Sequence, residues 1–364
     1  MASSSSAPLR IGILGTARIA RLFAAGVKSS SKVVITAVAS RDEGKAQAFA
    51  REIGTQHAHS SYEAMLADPA IDAVYIPLPT GLRGEWVLRA AAAGKHVVCE
   101  KPCARSVAEL QKMLEACWRK GVQFMDGVMF THSRRFQRLR EVLDDGQSIG
   151  QLRRITSAFS FYGAKEFFAS NIRAQSELEP LGCLGDLGWY CIRLALWVMN
   201  WQMPVQVTGR LLSEGRGANS PSAVPTEFSG ELLFEGGVSA GFYCSFVTTL
   251  EQWAIISGTH GYAQIPDFVL PFTGKELAFE IRKSDYQIRG CDFQMQTDHQ
   301  EVALPEWSHG HTTAQETNCY RAFADQARSG RLTETWPEAA LKTQKVTCAC
   351  LDSARADGRA ILLG

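Results

Sequence analysis

The chain has 364 residues, a formal net charge of +1 at pH 7 and 46% hydrophobic residues. That length accommodates two domains, each with its own core. Near-neutral charge without a basic block argues against a nucleic-acid partner, and no apolar run approaches the roughly 18 residues of a membrane helix.

The first eight residues, Met1-Ala2-Ser3-Ser4-Ser5-Ser6-Ala7-Pro8, lack the apolar centre of a secretory signal. They read as a disordered tail on a cytoplasmic protein, although an acid-free, serine-rich start leaves room for organelle targeting. Leu9 to Leu14 then reads as a short apolar strand that runs into a turn at Gly15. A helix follows, with Ile19, Ala20, Phe23, Ala24 and Val27 on one face. Strand, glycine turn and helix in this order match the dinucleotide fingerprint, whose glycines let backbone N–H groups approach a pyrophosphate. Only Gly15 matches fully, with Ala17 and Ala20 at the other small positions.

A second strand, Val33 to Ala39, ends at Ser40-Arg41-Asp42. An acidic residue at this tip suits the ribose 2′-hydroxyl of NAD, whereas an arginine suits a 2′-phosphate. Ser40 and Arg41 favour NADP; the competing reading makes Asp42 the ribose ligand. Alternating elements continue with a helix from Glu43 to Ile53 stopped by Gly54, and a buried strand from Ala73 to Ile76. A helix from Gly84 to Ala93 and a strand from His96 to Cys99 come next. Ser106 and Glu109 form a capping box for a helix to about Lys120, and Val122 to Met125 closes the sheet. Strands alternating with helices mean βαβ units and a doubly wound parallel sheet.

After a basic helix (Arg134 to Leu143) the pattern changes to successive strands. They are Leu152 to Phe161, Val205 to Leu212, Phe228 to Leu233, Val238 to Phe246, Ala254 to Gly258 and Tyr262 to Ile265. The second half is therefore an α+β domain with a large, mostly antiparallel open sheet, closed by helices at Cys319 to Gln326 and Leu341 to Ala356. The division expected is a tail at 1–8, a Rossmann domain at 9–130 and a substrate and dimerisation domain at 131–364. The ten cysteines are scattered and many, such as Cys99, Cys117 and Cys191, sit in apolar surroundings, as for buried small hydrophobes in a reducing compartment. Cys348 and Cys350 diverge on a helix, and His309 and His311 read as a loop pair rather than metal ligands.

Two motifs carry the chemistry. Glu100-Lys101-Pro102 follows His96 to Cys99 and puts an ammonium at the carboxyl end of a parallel strand, where open α/β sheets hold ligands. In Gly185-Asp186-Leu187-Gly188-Trp189-Tyr190, Asp186 and Tyr190 are four apart and share a helix face. The glycines at 182, 185 and 188 strip that face, as backbone close to a flat ring would require. A nearby ammonium favours phenolate and would draw Tyr190 toward neutral pH. Phe161, Tyr162, Trp189 and Trp253 are candidates for an apolar wall.

These segments, with Ile76-Pro77-Leu78-Pro79-Thr80 and Asn171-Ile172-Arg173, resemble the glucose–fructose oxidoreductase / inositol dehydrogenase (Gfo/Idh/MocA) family over almost the whole chain. The likeness is greatest to its dihydrodiol and D-xylose dehydrogenase branch and plant relatives, which carry Tyr rather than His four residues after the aspartate. Ala17 replaces a usual glycine, and Arg83 stands where many members have histidine.

The resemblance implies an NADP-dependent enzyme acting on a sugar, polyol or cyclic diol. Tyr190 would be the general acid/base, Lys101 would tune it, and Asp186 would position Lys101 or the substrate. Gly12, Gly15, Thr16, Ala17, Arg18, Ile19, Ser40, Arg41, Pro77, Leu78, Pro79, Thr80, Glu100 and Lys101 would contact the nucleotide. Asn171 and Arg173 would join Asp186 and Tyr190 at the substrate. A homodimer, or a dimer of dimers, would form through the open sheet. Two other readings stand beside this one: a non-catalytic NADP-binding sensor or scaffold, and an enzyme that retains NADP and cycles it between two sugars.

Overall fold

The structure, a computed structural model, describes residues 7–363; most of the expected N-terminal tail therefore lies outside the described residues. The first half builds strands β1 (Leu9–Leu14), β2 (Val33–Ala39), β3 (His57–His59), β4 (Ala73–Ile76), β5 (His96–Cys99) and β6 (Phe124–Asp126). They form one six-stranded sheet in the order β3-β2-β1-β4-β5-β6, parallel throughout. Between them run α1 (Arg18–Lys28), α2 (Glu43–Ile53), α3 (Tyr62–Ala67), α4 (Thr80–Ala92) and α5 (Val107–Arg119).

Local signals set most of these bounds. Asp42 caps α2 by accepting from Lys45 N–H at 3.0 Å, and Gly54 ends the helix at φ +77°. Ser106 likewise accepts from Glu109 N–H, at 3.2 Å. The helix expected from Gly84 starts earlier, at Thr80. A carboxylate from far along the chain makes that start: Glu179 accepts from Thr80 N–H at 3.1 Å and from its hydroxyl at 2.5 Å.

The second half contributes α6 (Arg134–Asp144), β7 (Leu152–Tyr162), α7 (Lys165–Ser170), α8 (Trp189–Val198), β8 (Gln206–Gly215), β9 (Val224–Leu233) and β10 (Ser239–Ser245). These are followed by β11 (Val247–Glu251), β12 (Ala254–Gly258), β13 (Tyr262–Ile265), β14 (Leu277–Arg289), β15 (Asp292–Leu304), α9 (Gln315–Arg328), α10 (Thr335–Arg355) and β16 (Ile361–Leu362). The strands form a ten-stranded sheet ordered β15-β14-β13-β12-β7-β10-β9-β8-β16, with β11 beside β7. All pairs are antiparallel except β7 with β10. The β14–β15 hairpin is absent from the sequence reading. Its residues alternate polar with apolar on both sides of Gly290 (Tyr286, Ile288, Phe293 and Met295 between Gln, Asp and Arg), a period-two strand signal that went unused.

Phe242, Cys244 and Phe246 turn inward and are buried, whereas Tyr243 points outward and hydrogen-bonds Glu227 and Thr248. The two faces of this strand thus differ, one apolar and buried, the other polar at Tyr243. Helices α8 and α10 cover the inner face. No element covers the outer face among the described residues. It carries Arg154, Thr156, Thr208, Arg210, Ser229, Glu231, Tyr243 and Trp253 around a shallow depression.

Helix α9 does not stay with the second sheet. Its Tyr320 meets Phe23 of α1 edge-on at 4.5 Å, and Phe23 stacks on Tyr75 of β4 at 4.0 Å. A buried ion pair ties the halves together: Arg193 of α8 donates to Asp126 at the end of β6, at 2.6 and 3.3 Å, and to Thr343 at 2.7 Å. Both charges are under 4% exposed. Asp126→Ala leaves a buried guanidinium unpaired and should destabilise the protein by about 3–5 kcal/mol. Denaturant unfolding monitored by circular dichroism checks this; a loss below about 1 kcal/mol would show that the pair is solvated.

Candidate active site

The carboxyl ends of β1, β2 and β4 open into a cleft of about 300 Å³ lined by Gly15, Thr16, Ala17, Ser40, Arg41, Asp42, Lys45, Tyr62 and Pro77 to Pro79. Gly15 adopts φ +107°, and a Cβ there would press on Leu78 at 3.2 Å, so only glycine suits this turn. Ala17 sits at φ −63° as the N-cap of α1, a conformation that alanine takes freely. The missing glycine therefore costs the turn nothing. Gly12 lies deeper, with Met65 in the space a Cβ would need. Arg18 is exposed and Ile19 half-buried in the first turn of α1.

At the tip of β2, Ser40 is buried and accepts from Asp42 N–H, while Arg41 is exposed. Asp42 is the capping residue of α2, so its carboxylate already has a donor. Lys45, overlooked in the sequence, enters the cleft from the first turn of α2. Its i+5 spacing from Ser40 was the available signal. This collection of donors and cations fits an adenosine 2′-phosphate better than a bare ribose.

Two expected nucleotide contacts are engaged elsewhere. Glu100 is 5% exposed and accepts from the Tyr75 hydroxyl at 2.6 Å, beneath the sheet end. Thr80 is fully buried and held by Glu179. Arg83 now has a clear place. Its guanidinium is buried and donates to the carbonyls of Leu78 and Pro102 and to the Thr80 hydroxyl. It thereby ties the Pro77–Thr80 turn to the segment that carries Lys101.

Lys101 reaches the second domain. Its Nζ donates to the Asp186 carboxylate at 2.8 Å and the Asp186 carbonyl at 2.7 Å, and lies 4.6 Å from the centre of the Tyr190 ring. Arg173 Nε donates to the other Asp186 oxygen at 2.6 Å. Two cations outweigh the burial of Asp186, whose carboxyl lies well below the usual range. Burial acts against the Lys101 ammonium, but the Asp186 charge prevails and raises its pKa. Tyr190 departs from expectation: burial pushes the phenol up to about 12, although Lys101 pulls it down. The expected shift toward neutral pH does not occur in the free protein, because desolvation of phenolate outweighs one ammonium already shared with Asp186. Tyr190 is thus a protonated phenol at pH 7. His132 is held at about 4 by burial and is neutral at pH 7.

Asp186 lies in a π-helical turn, Leu184–Gly188, that runs directly into α8 with Tyr190 in its first turn. The glycines around it serve packing within the protein rather than a flat ligand. A Cβ on Gly182 would stand 2.1 Å from the Pro225 carbonyl oxygen. One on Gly185 would strike Leu181 and approach Pro102, and one on Gly188 would meet Leu184 and Cys244. Asn171 uses its side-chain oxygen to cap the turn carrying Arg173, accepting from Arg173 N–H at 3.0 Å. Of the aromatics expected as a wall, Trp189 is core, Tyr162 is 70% exposed and Trp253 lies on the outer sheet face. Phe159 and Phe130 flank Tyr190 instead, at 5.6 and 6.4 Å.

Residues 9–128 match the family model described as oxidoreductase family, NAD-binding Rossmann fold, and residues 136–264 match the GFO/IDH/MocA C-terminal domain. The D-xylose 1-dehydrogenase (NADP(+)) 2 of Haloferax volcanii is 35% identical over 279 residues, covering 74% of this chain and 80% of that protein. The chain belongs to the Gfo/Idh/MocA oxidoreductase family. Another relative is the trans-1,2-dihydrobenzene-1,2-diol dehydrogenase of Mus musculus, 34% identical over 72% of this chain and 76% of that one. Among solved Gfo/Idh/MocA-like folds, a 3-ketoreductase from Actinomadura kijaniata in complex with NADP and TDP-benzene superimposes with TM-score 0.79 at 24% identity, covering 96% of this chain and 97% of that one. An aldose–aldose oxidoreductase from Caulobacter crescentus reaches TM-score 0.79 at 22% identity over 98% of this chain and all of the other. At that identity the two structures speak for the fold alone.

Proposed function

We propose that this Gfo/Idh/MocA protein is an NADP-dependent dehydrogenase or reductase acting on a CH–OH or carbonyl group of a sugar, polyol or cyclic diol. The observation that carries the reading is the meeting of Lys101, just past the carboxyl end of β5, with Asp186 and Tyr190 of the second half of the chain. When bound, the nicotinamide gives or takes the hydride. The protein's part is the proton and the positioning. In reduction the Tyr190 hydroxyl donates its proton to the substrate oxygen; in oxidation the same atom receives it. Asp186 holds Lys101 over the tyrosine ring, and Lys101 lowers the cost of the phenolate that forms. Arg173, 40% exposed on its side chain, balances the charge of Asp186 together with Lys101. The names of the relatives, a xylose dehydrogenase and a dihydrodiol dehydrogenase, support a neutral polyhydroxylated or diol substrate.

A panel of aldoses, polyols and diols assayed with NADP and NAD tests this. Turnover of at least one compound with NADP is expected. Tight NADPH binding with no turnover of any would instead leave a non-catalytic nucleotide-binding protein. Ser40, Arg41 and Lys45 set the cofactor preference. Arg41→Ala should weaken NADPH binding about ten- to a hundredfold, the worth of a charge-assisted phosphate contact, and leave NADH almost unchanged. Fluorescence titration with both nucleotides decides; equal losses would return the ribose to Asp42. The same reading takes the protein as a homodimer joined through the outer faces of its large sheets.

A further inference from the structure

Helix α4 has no cap of its own. Pro79 precedes it without a side-chain acceptor, and no acidic residue stands in its first turn. The second half of the chain supplies what is missing. Glu179 accepts from Thr80 N–H and from the Thr80 hydroxyl, and the Leu178 carbonyl accepts from Gly81 N–H at 2.8 Å. The two backbones approach so closely that a Cβ on Gly81 would stand 2.1 Å from the Glu177 carbonyl oxygen. Arg83 completes the contact: its guanidinium lies 4.0 Å from the Glu179 carboxylate, and the two side chains are 6% and 12% exposed.

This contact supports one particular part of the cleft. A dinucleotide that crosses an open sheet where its strand order reverses, here between β1 and β4, lays one nucleoside over β2 and the other over the strands beyond. The cations suited to a 2′-phosphate, Arg41 and Lys45, stand beside the tip of β2, so the half beyond is the nicotinamide half. The Pro77–Thr80 turn follows β4 and lies between the Gly15 turn and Lys101. Leu78 is 3.2 Å from a Cβ built on Gly15, and Arg83 donates to both the Leu78 and Pro102 carbonyls. Pro77 and Pro79 have no N–H, which leaves this turn few donors with which to hold itself. Pro77, Leu78 and Pro79 line the cleft, whereas Glu179 stands behind them.

We propose that Glu179 is a positioning residue for the nicotinamide half of the cofactor: reaching over from the second half of the chain, it fixes the Pro77–Thr80 turn in the shape to which that half binds. The proposal rests on the NADP-dependent reading above. Thr80 and Arg83 transmit the constraint. The Thr80 hydroxyl donates to Glu179 and accepts from Arg83 at 2.9 Å, and Arg83 carries it on to the segment that holds Lys101. A carboxylate suits this place better than a neutral side chain, because it meets a helix N-terminus, a hydroxyl donor and a neighbouring guanidinium at once. The same loop also serves the other side of the site. Arg173 and Asp186 bracket residues 177–179 in the chain, and the Asp186 charge, aided by Glu179, raises the pKa of the Arg173 guanidinium against burial. One loop thus grips the cofactor turn and carries the carboxylate that anchors Lys101.

The test divides the cofactor. NADPH and adenosine 2′,5′-bisphosphate, which lacks the nicotinamide half, are titrated calorimetrically into the full-length protein. Glu179→Ala should weaken NADPH about tenfold, the worth of a lost helix cap, and leave adenosine 2′,5′-bisphosphate within about twofold of the wild type. Its circular dichroism should be unchanged, since Arg83 keeps the Leu78 and Pro102 carbonyls. Thr80→Ala should reproduce the same split, and Thr80→Ser, which retains the hydroxyl between Glu179 and Arg83, should restore NADPH affinity. Equal weakening of both ligands would make Glu179 a support of the fold alone. Undiminished NADPH affinity in Glu179→Ala would show that the turn keeps its shape without it. Either result overturns the proposal and leaves the NADP-dependent reading standing. A wild type that binds neither ligand overturns both.

Discussion

Tyr190→Phe should fold, bind NADPH like the wild type, and turn over about a hundred- to ten-thousandfold more slowly, the usual share of general acid–base catalysis. The substitution keeps the ring between Phe159 and Phe130 and the contact with Lys101, and removes only the hydroxyl. The pH dependence has a definite sign. Because burial holds the phenol up to about 12, the protonated form is present throughout the neutral range. Carbonyl reduction, which consumes that proton, should therefore be insensitive to tyrosine ionisation near pH 7 and fall only in strong alkali. Alcohol oxidation, which needs the deprotonated acceptor, should rise with pH throughout the range below that value. Steady-state rates in both directions from pH 6 to 10 check this. Normal turnover by the phenylalanine variant on a proven substrate would move the proton to another group or to water.

Replacing Lys101 with Ala should cost at least as much as losing the hydroxyl. The Lys101 ammonium pulls the Tyr190 pKa down, and it anchors Asp186 through both a carboxylate and a carbonyl contact. Without it the phenol's pKa rises further, so the oxidative limb should move to higher pH; this shift separates tuning from mere loss of packing. Asp186 keeps Arg173, so the carboxylate stays charged and the fold should survive. Lys101→Arg should recover little, because a planar fork cannot occupy the place of a compact ammonium held between a carbonyl, a carboxylate and a ring. An unchanged pH profile in Lys101→Ala would show that the ammonium has no part in the proton transfer.

Much of this arrangement could be read along the chain. Strands Val33–Ala39, Ala73–Ile76, His96–Cys99, Ala254–Gly258 and Tyr262–Ile265 form where apolar runs and turn residues mark them, and Glu43–Ile53 runs from its Asp42 cap to Gly54. These features depend on hydrogen bonds and burial within a few residues, so local spacing suffices. The same holds for the two motifs: a lysine before Pro102 and an aspartate four residues ahead of a tyrosine are short patterns that name their residues directly.

What distance along the chain hides, only the tertiary structure decided. The start of α4 is made by Glu179, which lies 99 residues beyond Thr80. The glycines of the Asp186 motif are explained by Pro225, Cys244 and Pro102, and the place of Arg83 by the Pro102 carbonyl. The sign of the Tyr190 shift followed the same rule. A sequence shows that a lysine and a tyrosine exist, and hence an attraction; it does not show how much water the fold removes from them. Desolvation is a property of the packed volume, summed over β6, β7, α8 and the turn at Phe130, and here it outweighs the single charge that was legible.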